Sequence, residues 1–137
     1  MITLDQYAGP WSDHIDFDAQ RRANAEDLLI KVEALMEFAK ADGIEFLIDP
    51  DTGSHVGGEI YGGFRPQSCP IGAPNSKHKQ GQAVDIYDPD GKVDAWCMAN
   101  LDRLRQCGIY LEHPDFTKRW SHWQSVAPGS GTRVFKP

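Results

Sequence analysis

The chain lacks most of the features that place a protein in a class at a glance. It has no apolar run long enough to span a bilayer, so membrane insertion is not expected. It has no basic excess: 14 Lys and Arg stand against 20 Asp and Glu, a net charge of −6. That balance argues against nonspecific binding to nucleic acid or to an anionic membrane surface. Cysteine is scarce. Cys69, Cys97 and Cys107 are odd in number and lack metal-finger spacing, so they read as reduced thiols in a protein made in the cytoplasm. Met1 to Tyr7 carries neither a basic nor an apolar segment, and no secretory signal is expected. Repeats, linkers and low-complexity segments are also missing. What is left is ordinary globular composition, 40% hydrophobic and 25% charged over 137 residues. That length suits one compact domain, residues 1–137, expected to act as a monomer.

The pattern along the chain predicts an α+β fold. Residues 1–16 are mixed and are expected to drape over the body. From Asp18 to Ala41, Leu28, Val32, Leu35, Met36 and Ala39 recur on one helical stripe, and Gly43 is a plausible stop. Ile44 to Ile48 reads as a short strand, Asp49 to Gly58 as a loop, and Ile60 to Arg65 as a strand delivering Arg65 to a cleft. Gln67 to Asn75 is a Pro- and Gly-rich loop at the cleft rim. Ala83 to Tyr87 reads as a strand with Val84 and Ile86 facing the core and Ala83, Asp85 and Tyr87 facing the cleft. Asp88-Pro89-Asp90-Gly91 is a turn, and Val93 to Gln106 is a second helix ended by Gly108. Strands follow around 109–112 and 120–126, and Thr132 to Phe135 adds an edge strand. The architecture implied is a small, mainly antiparallel sheet backed by two helices. Trp96 and Trp123 are expected in the core, Trp11 against the N-terminal arm, His14 and His55 in exposed loops, and Arg133 and Lys136 on a solvated tail.

The most informative stretch runs from Ser76 to Ile86. It sets His78 and Asp85 seven positions apart with Gly81 between them, and His122 lies downstream in Trp120-Ser121-His122-Trp123-Gln124. Seven residues of straight strand would span roughly 23 Å, too far for two ligands of one ion, so the chain must turn between them. Gly81 is the residue best able to allow the turn. In an extended reading, His122 shares a face with Trp120 and Gln124, and two neighbouring strands can present all three ligands to one point. Two imidazoles and a carboxylate can hold zinc and leave a fourth position open for water, the arrangement of a catalytic site. A bare His–Asp spacing is more often a surface hydrogen bond; the surroundings raise its significance here.

Ser76-x-His78-x-x-Gly81-x-Ala83-Val84-Asp85-Ile86, followed by Trp120-x-His122, resembles the D-Ala-D-Ala metallopeptidase group. That group includes zinc D,D-carboxypeptidases, D-Ala-D-Ala dipeptidases and phage endolysins, and the Hedgehog signalling domain shares its fold. Gly62-Gly63-Phe64-Arg65-Pro66 is similar to the family's glycine-aromatic-arginine segment. The resemblance is strong over residues 58–88 and weaker over 109–126. It implies His78, Asp85 and His122 as zinc ligands, Arg65 as a substrate-binding arginine, and Ser76 as a substrate contact near the metal. Trp120, on the face of His122, could line the same cleft.

One departure stands out. Many relatives carry an acidic general base three residues before the second ligand histidine, where this chain has Arg119, which cannot accept a proton at neutral pH. Glu112, His113 and Asp115 are the neighbouring candidates, with Glu112 first, Asp115 second, and His113 read as a supporting or surface residue. Cys69 as a ligand is the lesser alternative. The resemblance implies a zinc-dependent hydrolase acting on peptidoglycan stem peptides as a carboxypeptidase, endopeptidase or dipeptidase. Synthesis in the cytoplasm without a signal suits a phage or prophage lysis enzyme that reaches the cell wall after release. The rivals are a zinc-bearing module that binds peptidoglycan or a protein without cutting it, and a structural phage component.

Overall fold

The computed structural model describes all residues, Met1–Pro137. The architecture is α+β: four α-helices and a four-stranded mixed sheet. Helix α1 (Leu4–Ala8) opens with a capping box, in which Thr3 Oγ1 accepts from Gln6 N and Gln6 Oε1 accepts from Thr3 N. Helix α2 (Ala19–Ala41) is capped by Asp18, whose side chain accepts from Arg21 N, and buries the stripe anticipated from its spacing, with Ala25 added. Strand β1 spans Ala83–Tyr87. Helices α3 (Lys92–Ala99) and α4 (Leu101–Cys107) follow, then β2 (Tyr110–Glu112), β3 (Trp120–Gln124) and β4 (Val134–Phe135).

The sheet order is β1-β3-β2-β4. The first two pairings are antiparallel, whereas β4 runs parallel to β2, with Leu111 opposite Val134 and Glu112 opposite Phe135. One face is the core: Val84, Ile86, Leu111 and Trp123 are fully buried there. They join a single cluster with the α2 stripe, Trp96, Leu104 and Ile109. The opposite face carries Asp85, Tyr87, Trp120, His122 and Gln124, because successive strand residues point to opposite sides.

Several expectations are corrected. The N-terminal segment is built into the core rather than laid over it: Ile2, Tyr7 and Ala8 are buried, and Tyr7 Oη donates to Ala83 O at 2.9 Å. Residues 44–48 form no strand, since they find no ladder partner; only Asp49 bridges to Ser54. Residues 60–65 are a turn rather than a strand. There Gly62 O accepts from Asp85 N at 2.7 Å, so the loop runs along the free edge of β1. The single helix expected over 93–106 is two, broken at Asn100 (φ −133°, ψ 46°), whose side-chain amide donates to Trp96 O. The helical layer therefore exceeds the two helices expected. His14 and His55 are half-buried, the latter's Nδ1 against Leu47 O. Arg133 is not a solvated tail residue: it donates to Ile109 O and lies 4.1 Å from the centroid of the Tyr110 ring. All three cysteines are buried free thiols. No helix is long and apolar enough to cross a membrane.

Candidate metal centre

Three local devices bring the sequence motif together. Residues Lys77–Gln80 form a 3₁₀ turn that ends at Gly81 in the left-handed conformation (φ 72°, ψ 25°), where a Cβ would meet Arg21 O at 2.6 Å. The chain reverses there and lays His78 beside β1. The pairing of β1 with β3 then sets Asp85 directly opposite His122. Upstream, Gly62 and Gly63 are wedged so closely that a Cβ on either would lie 1.8 Å from a backbone oxygen, of Gly57 and Tyr7 respectively. This close approach delivers the Gly63 carbonyl to His78 and the Arg65 side chain to Asp85.

The ligand atoms converge. His78 Nε2 lies 3.4 Å and His122 Nδ1 2.9 Å from the same oxygen, Asp85 Oδ1. The three residues offer ligand atoms all within 4.8 Å of one another, and all three side chains are buried. Each ring's other nitrogen is engaged behind. His78 Nδ1 donates to Gly63 O at 2.8 Å, and His122 Nε2 is 3.0 Å from Gln124 Oε1. Both imidazoles thus turn one nitrogen inward, which is how a protein orients histidine ligands. The group can hold a metal ion.

The electrostatics fit that role at Asp85 and His78, whereas at His122 a metal would have to displace a proton. Burial opposes ionisation of Asp85, yet the adjoining His78 and His122 hold its carboxyl well below the usual range. Burial lowers the His78 pKa against the pull of Asp85, which favours the neutral imidazole a metal requires. Burial also works against a charged His122, but the hydrogen bond and charge of Asp85 outweigh it and raise its pKa. Arg65 is buried beside the carboxylate. Its Nη2 is 3.7 Å from Asp85 Oδ2, its Nε donates to Tyr61 O at 2.7 Å, and its Nη1 to Ile71 O at 3.4 Å.

The ligands open onto a cleft of about 560 Å³ that Arg65, Ser76, Glu112 and Trp120 also line. Glu112 arrives by register. Tyr110 pairs with Gln124 and Leu111 with Trp123, so the next position sets Glu112 beside His122. A row thus crosses the sheet as Asp85, His122, Glu112 and Phe135, with strand spacing of about 4.8 Å. Partial burial raises the Glu112 pKa, opposed by the nearby His122, and no hydrogen bond holds its carboxylate.

The other candidates lie elsewhere. Asp115 is exposed on a 3₁₀ turn (Pro114–Phe116) outside the cleft, and its backbone N donates to His113 Nδ1. His113 does not reach the cleft lining either. Arg119 is exposed in a left-handed conformation (φ 79°) and lines a separate recess of about 280 Å³ that Trp120 also borders. Cys69 is buried but stands outside the ligand group.

The cleft lining also includes Lys77, Gln124 and Phe135, to which the sequence assigns no role, and Lys136, expected on a solvated tail. Gln124 was accessible through its alternation with His122. Phe135, whose ring centroid lies 6.0 Å from that of His122, and Lys136 reach the cleft only through the parallel pairing of β4, which leaves no local signal. Comparison with family models, with curated proteins and with solved structures finds no match to this chain.

Proposed function

We propose that this chain is a zinc-dependent peptidase acting on peptidoglycan stem peptides, of the D-Ala-D-Ala metallopeptidase type with a Hedgehog-like fold. The observation that carries the reading is the convergence of His78 Nε2, Asp85 Oδ1 and His122 Nδ1 at the floor of a cleft that also holds a free carboxylate, Glu112. Two imidazoles and one carboxylate suit zinc, and three protein ligands leave a coordination position for water or substrate. The spacings of 2.9 and 3.4 Å bracket the edge of about 3.3 Å that follows from zinc–ligand bonds of about 2.0–2.1 Å. When bound, zinc supplies a lowered pKa for water and polarisation of a scissile carbonyl.

The chain's own groups do the rest. Glu112, beside His122 and held above the ordinary carboxylate range by burial, takes the proton of the attacking water and returns it to the leaving amine. Asp85 carries the one negative charge among the ligands and is kept ionised by its neighbours. Arg65 has five N–H donors, three of them directed at Tyr61 O, Ile71 O and Asp85. It therefore steadies the Asp85 carboxylate and keeps two N–H groups for a substrate carboxylate. Ser76 and Trp120 both form part of the cleft lining against which a peptide lies. A lysis role in a phage or prophage is consistent with this chemistry.

The test is mass analysis of purified peptidoglycan fragments after incubation with the zinc-loaded protein. Hydrolysis predicts fragment pairs whose summed mass exceeds the parent by one water, abolished by chelation and restored by zinc. Stoichiometric zinc without new fragments would instead establish a module that binds and does not cut.

A further inference from the structure

Asp85 Oδ1, 2.9 Å from His122 Nδ1, sets a problem for the metal centre. A carboxylate is a strong acceptor and draws the imidazole proton onto the nitrogen facing it. A proton on Nδ1 would block the one nitrogen of His122 that faces the ligand group. Some acceptor must hold the proton on Nε2 instead, because the hydrogen bond at one ring nitrogen decides which nitrogen the metal can use.

Gln124 is placed to do this. It sits two residues along β3 on the same face and is almost fully buried, with 3% of its surface exposed. Its Nε2 donates to Val126 O at 2.9 Å, which fixes the amide orientation. Oε1 therefore points at His122 Nε2, 3.0 Å away, and can only accept. The amide is neutral. His78 is likewise backed by a neutral acceptor, Gly63 O, so Asp85 is the sole anion among the ligands and the groups hydrogen-bonded behind them. A carboxylate at position 124 would make His122 a more basic donor and the ion less electrophilic.

We propose that Gln124 is a positioning residue: it holds His122 with its proton on Nε2, frees Nδ1 for the metal, and through its neutrality preserves the ion's Lewis acidity. This rests on the zinc reading above, but not on which peptide bond is cut.

The experiment compares wild type, Gln124→Leu and Gln124→Glu by three readouts: zinc dissociation constant from chelator competition, imidazole tautomer from ¹⁵N spectra of the zinc-loaded protein, and turnover. Gln124→Leu should weaken zinc binding about 10–100-fold. Gln124→Glu, which keeps an acceptor for Nε2–H, should bind zinc as tightly as wild type or more tightly, yet turn over more slowly. The wild-type spectrum should show His122 bound through Nδ1. Wild-type zinc affinity in Gln124→Leu, or ligation through Nε2, would overturn the proposal while leaving the metal site standing. A wild-type protein with no affinity for zinc would overturn both. If the leucine variant does not fold, weakened zinc binding in Gln124→Glu would contradict the proposal.

Discussion

On the proposed function, Glu112 separates a cleft that hydrolyses from one that only binds. Its register beside His122 and its unbonded carboxylate make it the expected proton acceptor. Glu112→Gln should lower turnover by about 10²–10⁴-fold while zinc affinity and thermal stability stay near wild type. An equally active glutamine variant would remove Glu112 from the mechanism. A second acid, Asp94, acts on stability instead. Burial, opposed by hydrogen bonds from neighbouring hydroxyls, raises its pKa from 3.8 to about 6, and its Oδ1 is buried without a partner. The folded protein therefore holds a proton that the unfolded chain has already released. Stability from this group is full below the unfolded pKa and is lost as pH rises through the folded one. Asp94→Asn should flatten that slope. The difference in unfolding free energy between variant and wild type, followed by denaturant melts from about pH 4 to about pH 7, should grow in the variant's favour by about 1–3 kcal/mol. A difference that stays flat would show that the proton is not retained. At this scale the gathering of His78 and Asp85 was legible because they flank a glycine turn, and the group they form with His122 could hold a metal ion. The choice of Glu112 over Asp115 was not settled by sequence, since both belong to one short polar stretch and only the strand register separates them.

Strands were legible only where a partner exists. Ala83–Tyr87 matches its expected limits because alternation there reflects a core face and a face that carries Asp85 to the cleft. Ile44 to Ile48 carries similar apolar content but no strand lies alongside, and pairing is a property of the neighbour as much as of the segment. The helix break at Asn100 was equally hidden, because the apolar period runs through it and only the local side-chain bond to Trp96 O marks it. The segment around Gly62 and Gly63 folds as a turn where its composition suggests a strand, and it still delivers Arg65 to the cleft. Its tightness offers a test of how far this loop shapes the site. Gly63→Ala would drive a Cβ to 1.8 Å from Tyr7 O and push the loop off α1. The Gly63 carbonyl, which orients His78, would move with it. Destabilisation of at least about 2 kcal/mol is expected, with zinc affinity falling in the protein that stays folded. Denaturant unfolding and zinc titration of the variant check both, and wild-type values would show that the loop can relax without disturbing His78.

Across the whole molecule, one face of the sheet makes the core and the other makes the site, so fold and chemistry share the same strands. The α+β class was legible from the helical stripe and the alternating strands. The mixed character of the sheet was not, because the parallel pairing of Val134 and Phe135 with β2 joins segments distant in sequence. Only the folded chain gathers His78, Asp85 and His122, so zinc should stabilise it, by about 2.7 kcal/mol at a hundredfold excess over the dissociation constant. Calorimetric melts with and without zinc check that figure, and an unshifted transition would deny linkage between metal and fold. The most direct measurement is X-ray absorption at the zinc edge on protein loaded with one equivalent of the metal. It should show a shell of nitrogen and oxygen at about 2.0–2.2 Å, with imidazole scattering from two histidines and no sulfur, and His78→Ala should abolish stoichiometric loading. A sulfur shell at about 2.3 Å, or undiminished zinc in the alanine variant, would contradict a centre built from His78, Asp85 and His122.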